Sequence, residues 1–282
     1  MNEFSSSNGL EERQLLKIRE LETACRKNEK LCMKLNYDML EERTADERND
    51  FFCCKDELLT GYLGLYGFGA HVELTGMVHP EYRRQGIFRT LFQSAKDECI
   101  KRGVKRLLLI TEKDNAPGLG FCLSTGARYS FSEYRMVFSK KDVQIHSGHG
   151  LVIRKAGQED RAELALLDEI CFKRINEDTD TKKEDEKGRN VYIAELEGKV
   201  IGKVGIAQED EAGYVFGFCI DPAFRRRGYG RSLLTYVMSM LISDGFSTII
   251  LEVETENENA LYLYESCGFQ RATVYDYYEL MI

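Results

Sequence analysis

Two tandem domains of mixed α/β class, each a mixed central sheet flanked by helices, are predicted by three features of the 282-residue chain. The length is about twice that of an ordinary domain of about 150 residues. A repeat relates the two halves at an offset of 142 positions without a gap. In each half, β-branched and aromatic runs separated by glycine precede a stretch of helical periodicity, a short apolar run and a second short helix.

The repeat pairs Pro80 with Pro222, Arg83 with Arg225, Arg84 with Arg226, Gly86 with Gly228, Arg89 with Arg231, Gly103 with Gly245, Asn115 with Asn257 and Gly126 with Gly268. With one residue of slippage, Gly61 and Gly64 also match Gly202 and Gly205. A duplication of this kind places the domain boundary in the polar stretch from Ser139 to Gly150, ahead of the apolar start at Leu151. The expected domains are residues 1–145 and 150–282.

The elements follow in order. One or two N-terminal helices are expected in each half. In the second half, Val191–Ala194, Val200–Ile206 and Tyr214–Ile220 read as strands of a meander. Leu233, Leu234, Val237, Met238 and Leu241 fall at helical spacing. Thr248–Val253 is nearly all apolar, as in a strand covered on both faces. Asn259–Ser266 is a short helix, with Gly268 as its left-handed cap.

Composition narrows the class. At 43% hydrophobic and 11% aromatic residues the chain is neither disordered nor fibrous. No stretch approaches the ~20 apolar residues of a membrane span. Met1 to Arg13 is polar and acidic, without the apolar core of a secretory signal, so a cytoplasmic protein is expected. The 9 cysteines are odd in number and contain no CxxC pair, which suggests neither a disulfide framework nor a zinc ribbon. His146 and His149 sit in loop sequence without a second ligand pair, and no metal is expected.

Residues 1–150 hold 23 Lys and Arg against 22 Asp and Glu, and residues 151–282 hold 16 against 25. Polyanion binding needs a basic surface, so nucleic acid is not an expected partner, and without an apolar span neither is a membrane. The acidic half favours a cationic, amine-bearing partner, although surplus carboxylate also serves solubility.

Arg225, Arg226, Arg227, Gly228, Tyr229, Gly230 and Arg231 lie between the strand ending at Ile220 and the following helix. A helix start leaves N–H groups without internal partners and carries partial positive charge, while glycines let the backbone approach a bulky anion. A pyrophosphate fits such a loop; a basic surface turn is the other reading.

Asp221-Pro222 before Arg225-x-x-Gly228-x-Gly230, and Leu251-Glu252-Val253 before Asn257, Ala260, Tyr264-Glu265-Ser266 and Gly268-Phe269, resemble the acetyl-CoA motif and the Asn/Tyr segment of GCN5-related N-acetyltransferases. The second half is most similar to the branch that acetylates N-terminal amines of ribosomal proteins. The resemblance is dense over about 65 residues. It implies acetyl transfer from acetyl-CoA to a primary amine in a ternary complex. It also implies pyrophosphate held by the loop of Arg225 to Arg231, and pantetheine amides paired with the strand of Phe218, Cys219 and Ile220. Asn257 would bond the pantetheine arm.

Proton transfer is needed at both ends of such a reaction. The resemblance puts Tyr264 over the thioester sulfur as the acid; without the motif it would read as a core aromatic of the helix Ala260–Tyr264. Glu252 is the candidate base, through water. A carboxylate inside an apolar strand asks for a partner or a function, though a solvent-facing Glu at a strand end is the alternative.

The repeat supplies its own comparison. Ile110 and Cys122 stand where the second half has Glu252 and Tyr264, and Phe88 stands where it has Gly230. One catalytic half is therefore expected, residues 150–282, beside a degenerate copy. The main rival is a non-catalytic acyl-CoA-binding or sensory protein with two such domains. The acceptor is left open among small amines, aminoglycosides, polyamines, amino acids and protein N-termini, and so is the choice between monomer and homodimer.

Overall fold

The computed structural model describes residues 1–29, 32–43, 46–68, 71–139, 143–144, 146, 150–172 and 189–282. His149 and part of the expected boundary stretch lie outside the described residues. In chain order the elements are β1 (Glu3–Asn8), α1 (Glu12–Glu29), α2 (Tyr37–Glu41), β2 (Arg48–Lys55), β3 (Leu58–Phe68), β4 (His71–Val78), α3 (Ile87–Lys101), β5 (Arg106–Glu112), α4 (Ala116–Ser124) and β6 (Arg128–Phe138). The second series is β7 (Leu151–Lys155), α5 (Arg161–Phe172), β8 (Asn190–Leu196), β9 (Lys199–Glu209), β10 (Ala212–Ile220), α6 (Tyr229–Ser243), β11 (Ile249–Glu254), α7 (Glu258–Ser266) and β12 (Gln270–Met281). The class is mixed α/β, as the sequence predicts.

The structure divides into two compact units. Unit 1 holds residues 1–132 together with 274–282, and unit 2 holds residues 133–273. The division differs from that expected at the polar stretch after Ser139, because the last strand of each half is built into the other unit. The unit 1 sheet runs β1-β2-β3-β4-β5-β12 and the unit 2 sheet runs β6-β11-β10-β9-β8-β7. β5 pairs antiparallel with β12 from Arg106↔Met281 to Glu112↔Tyr275, and β11 pairs antiparallel with β6 from Ile249↔Phe138 to Glu254↔Glu133.

In unit 1 the strands alternate between two covered faces. Leu63, Leu65, Leu74, Leu107 and Leu109 meet Leu91 and Ala95 of α3. Tyr62, Tyr66 and Met77 meet Ile18 and Leu21 of α1. A buried ion pair lies on that second face: Arg43 Nη1 is 2.8 Å from Asp50 Oδ1, to which Tyr62 also donates at 2.6 Å. β1 was not expected ahead of the helix. Its sequence EFSSSN shows no alternation because nearly every one of its side chains is exposed, and it pairs only with β2 at the sheet edge.

In unit 2, Leu233, Leu234, Val237, Met238 and Leu241 of α6 are buried against Val204, Ile206, Val215 and Leu251. The strand and helix ranges expected for this half are found, and Gly268 adopts φ 99° as the left-handed residue after α7. The same core takes Met136 and Phe138, 0% and 2% exposed, from β6. Burying two such side chains contributes about 3–6 kcal/mol, a large part of the ~5–15 kcal/mol that stabilises a domain.

A fragment of residues 150–282 therefore lacks a strand its core needs, and it leaves the edge of β11 open. The expected outcome is aggregation or no cooperative thermal transition for 150–282, against a cooperative transition for residues 133–273, followed by circular dichroism. A well-folded, monomeric 150–282 fragment would contradict the division of the chain.

Candidate functional site

The site grows from a parallel strand pair that stops early. β10 and β11 pair at only three positions, Gly213↔Ile249, Tyr214↔Ile250 and Val215↔Leu251. Beyond them β11 continues to Glu254 against β6, whereas β10 gains an extra residue against β9 between Phe216 and Cys219. Gly217 sits in that bulge at φ 55°, a left-handed conformation that suits glycine. A bulge bends its strand, and the two strands part around a notch. Phe218, Cys219 and Ile220, the predicted cofactor strand, form one side of it, and Glu252 lies on the other. Main-chain groups of β10 on this side are not used by the ladder with β11, which suits an extended amide-bearing ligand such as pantetheine.

The predicted phosphate loop follows at once. A 3-10 turn, Pro222–Phe224, is capped by Asp221, whose Oδ1 accepts from Ala223 N at 2.9 Å. The chain then passes through the left-handed region twice, at Arg226 (φ 64°) and Gly228 (φ 85°), and Gly228 caps α6. Ser232 N is the first to bond back, to Gly228 O, so Tyr229, Gly230 and Arg231 present the N–H groups that a helix start leaves over. A Cβ on Gly230 would lie 3.4 Å from Phe218 and 3.5 Å from Ile220 and Leu263, which is ordinary contact. No crowding inside the protein requires glycine there; the sequence reading ties it to the close approach of a ligand.

The loop arginines have work within the protein. Arg225 Nε donates to Ile220 O at 2.8 Å and ties the loop to the strand end. Arg226 donates to Asn259 Oδ1 at 3.1 Å, and Arg231 donates to Ser266 O and Oγ. Arg227 lies 5.7 Å from the Phe224 ring centre. Their charge is held around the helix start rather than extended from it.

The other candidates fall on β11 and α7. Tyr264 is buried, with ring centres 6.0 Å from both Phe218 and Phe269. Burial, then the neighbouring Cys219 and Cys267, pushes its phenol well above the ordinary value, so it stays protonated across the neutral range. Asn257 caps α7, its Oδ1 accepting from Ala260 N at 3.3 Å, as Asn115 caps α4 through Gly118 N. Glu252 is joined to Arg135 at 3.3 Å, and Arg135 reaches Glu209 at 2.6 Å. Sequence reasoning missed Arg135: it belongs to the first half of the repeat, and the register that sets it opposite Glu252 exists only once β6 joins unit 2.

Unit 1 repeats the frame with other contents. β4 and β5 also pair at three positions, Val72↔Leu107 to Leu74↔Leu109, but β4 runs in unbroken register with β3 and has no bulge. Arg84 (φ 63°) and Gly86 (φ 80°) reproduce the loop, and Arg83 Nε donates to Val78 O at 3.0 Å. An aromatic ring has changed sides. In unit 2, Phe218 of the strand faces Gly230 of the helix; in unit 1, Phe88 of the helix faces Gly76 of the strand, where a Cβ would come within 2.9 Å of the ring. Phe88 also packs edge-on against Phe121, with centres 4.7 Å apart. Ile110 is half-buried and Cys122 is buried, its thiol pushed up to about 12 by burial.

On the face of the unit 2 sheet under α5, the half-buried Cys171 neighbours the buried Cys219. Cys171 Sγ lies 3.6 Å from Ile220 O, and the buried Lys203 pairs with Asp168 at 2.7 Å next to them. The neighbouring Cys219 thiol, with help from Arg225, lowers the Cys171 thiol to about 7, while the Cys171 neighbour and then burial push Cys219 up. The thiolate of Cys171 therefore forms as pH rises through about 7. Iodoacetamide should label Cys171 first, with a half-maximal rate near that pH, well before Cys122 or Cys219. Peptide mapping that finds Cys122 labelled as fast would refute this ordering.

The Acetyltransferase (GNAT) family model matches residues 15–126 and 161–269. Over 65 residues the chain is 46% identical to the [Ribosomal protein bS18]-alanine N-acetyltransferase of Salmonella typhimurium (strain LT2), a match covering 23% of this chain and 43% of that protein. The chain thus spans less than half the length of this curated relative. It is 26% identical to the mycothiol acetyltransferase of Thermomonospora curvata, over 95% of this chain and 94% of that one. Among solved structures, a tandem GNAT protein from the clavulanic acid biosynthesis pathway superposes with a TM-score of 0.76 at 14% identity, covering 100% and 98% of the two chains. A GCN5-related N-acetyltransferase from Sphaerobacter thermophilus gives 0.74 at 16% identity, covering 99% and 95%. At those identities the structural likeness speaks to fold alone. Two family matches, one in each half of the duplication, cover most of the chain, which belongs to the GNAT acetyltransferase family as a tandem member.

Proposed function

We propose that unit 2 transfers an acetyl group from acetyl-CoA to a primary amine, with both substrates bound together. The observation that carries this reading is the notch itself. A strand freed from its parallel neighbour runs straight into a glycine loop at a helix start, with a buried phenol against the same strand. Acetyl-CoA supplies the acyl group already activated as a thioester.

The chain's own groups divide the remaining work. The N–H groups of Tyr229, Gly230 and Arg231 hold the pyrophosphate, helped by the partial charge of the α6 N-terminus. Main-chain groups of Phe218 to Ile220 align the pantetheine amides and polarise the acyl carbonyl. Asn257 keeps its oxygen on the helix cap and offers its NH2 group to the same arm. Tyr264 gives a proton to the departing thiolate. Its raised phenol makes that transfer uphill, so close positioning must offset the mismatch. Glu252 takes the proton of the incoming ammonium through water.

Release of CoA thiol should be followed against a panel of glucosamine, phenethylamine, spermidine and trialanine. Release above the amine-free rate for at least one of them is expected, and none for the whole panel would overturn the reading. Gly228→Val should weaken acetyl-CoA binding tenfold or more in calorimetry. A β-branched residue at φ 85° costs about 1–2 kcal/mol and displaces the N–H groups. An unchanged affinity would remove the phosphate assignment. Tyr264→Phe should lower kcat by roughly ten- to a thousandfold and leave acetyl-CoA affinity within about twofold. A near-normal kcat would make Tyr264 a packing residue.

A further inference from the structure

Arg135 lies on β6, a strand from the first half of the sequence that pairs with β11 in unit 2. It is the cross-strand partner of Glu252 in the β6–β11 ladder, and its two terminal nitrogens are divided between carboxylates: Nη1 to Glu252 at 3.3 Å and Nη2 to Glu209 of β9 at 2.6 Å. All three side chains are largely buried, at 14%, 7% and 11% exposure. Other charged and aromatic groups lie on the same and neighbouring strands. Glu254 follows on β11 and pairs across the ladder with Glu133, while Tyr214 and Phe216 of β10 stack with ring centres 5.8 Å apart. Arg189 lies over the Phe216 ring.

A Glu side chain has three rotatable torsions, and a carboxylate needed at one point of a notch must be kept from sampling the rest. A monodentate contact to a flexible cation would restrain it little. Here the guanidinium is itself pinned by Glu209, so its planar fork becomes a fixed bracket against which Glu252 is set.

We propose that Arg135 is a positioning residue for the acceptor side of the reaction: anchored by Glu209, it fixes the Glu252 carboxylate at the mouth of the notch. This rests on the role proposed for Glu252. It also means that the working site draws on both halves of the duplication, through the exchanged strand.

The role separates cleanly from a structural one by a double-mutant cycle in the full-length chain, using the fastest amine of the panel above. Arg135→Gln should lower kcat about ten- to a hundredfold with acetyl-CoA affinity within about twofold. Arg135→Lys, which retains the charge but reaches only one carboxylate, should fall between Gln and the parent. Arg135→Gln combined with Glu252→Gln should be no slower than Glu252→Gln alone. Losses that multiply, or a parent-like kcat in Arg135→Gln while Glu252→Gln is impaired, would overturn the positioning role and leave the acetyl-transfer reading intact. A parent-like kcat in Glu252→Gln would overturn the role of Glu252 and the inference with it. Failure of every amine to accept an acetyl group would overturn the function on which both rest.

Discussion

The pairing between β10 and β11 lasts for three residue pairs, and the candidate site of unit 2 is arranged by what happens after the third. Two parallel strands that stop bonding would ordinarily collapse onto each other or fray. These do neither, because each has a partner on its far side: β10 is held by β9, and β11 is held by β6 over six consecutive pairs. The bulge at Gly217 then turns β10 away while its neighbour stays straight. The notch is thus a consequence of three ladders; the glycine loop and the α6 start are placed by their attachment to the strand that bends, and Tyr264, on the helix after β11, packs against Phe218 of that strand.

The outer ladder explains the division of the chain. β11 and β5 are buried central strands, and each needs pairing along both edges. The duplication met this need by exchange, β6 completing unit 2 and β12 completing unit 1. Within that shared frame the copies have diverged in matched steps. Unit 2 has the bulge, the phenol and the carboxylate. Unit 1 keeps the loop conformation but lacks the bulge, and one aromatic ring is supplied from the helix instead of the strand. Filling the same contact from the opposite side conserves volume, which is what a close-packed interior tolerates best.

Charge is treated consistently in both units. A buried ion is costly unless paired, and three sets of buried ions among the described residues sit in compact groups: Arg43 with Asp50, Lys203 with Asp168, and Arg135 with Glu209 and Glu252. The last of these adjoins the notch through Glu252. The arginines of the glycine loop are largely exposed and bond instead to neutral oxygens of Ile220, Asn259 and Ser266.

Sequence alone determined the mixed class, the duplication, the meander of β8 to β10, the α6 and α7 helices and the loop at the α6 start. These are local signals: side-chain periodicity, glycine placement and a repeat that survives at fixed offset. It also singled out Phe218, Cys219, Ile220, Glu252, Asn257 and Tyr264, which the structure brings to one end of one sheet. Tertiary structure alone decided which strand completes which sheet. β6 and β12 carry the same alternation whichever neighbour they join, so nothing local in them distinguishes pairing within a half from exchange between halves. For the same reason Arg135 was invisible beside Glu252: the two are 117 residues apart, and only the register of a long-range ladder sets them side by side. The thiol pair of Cys171 and Cys219 depends likewise on how α5 lies on the sheet, a packing outcome that no spacing in the sequence encodes.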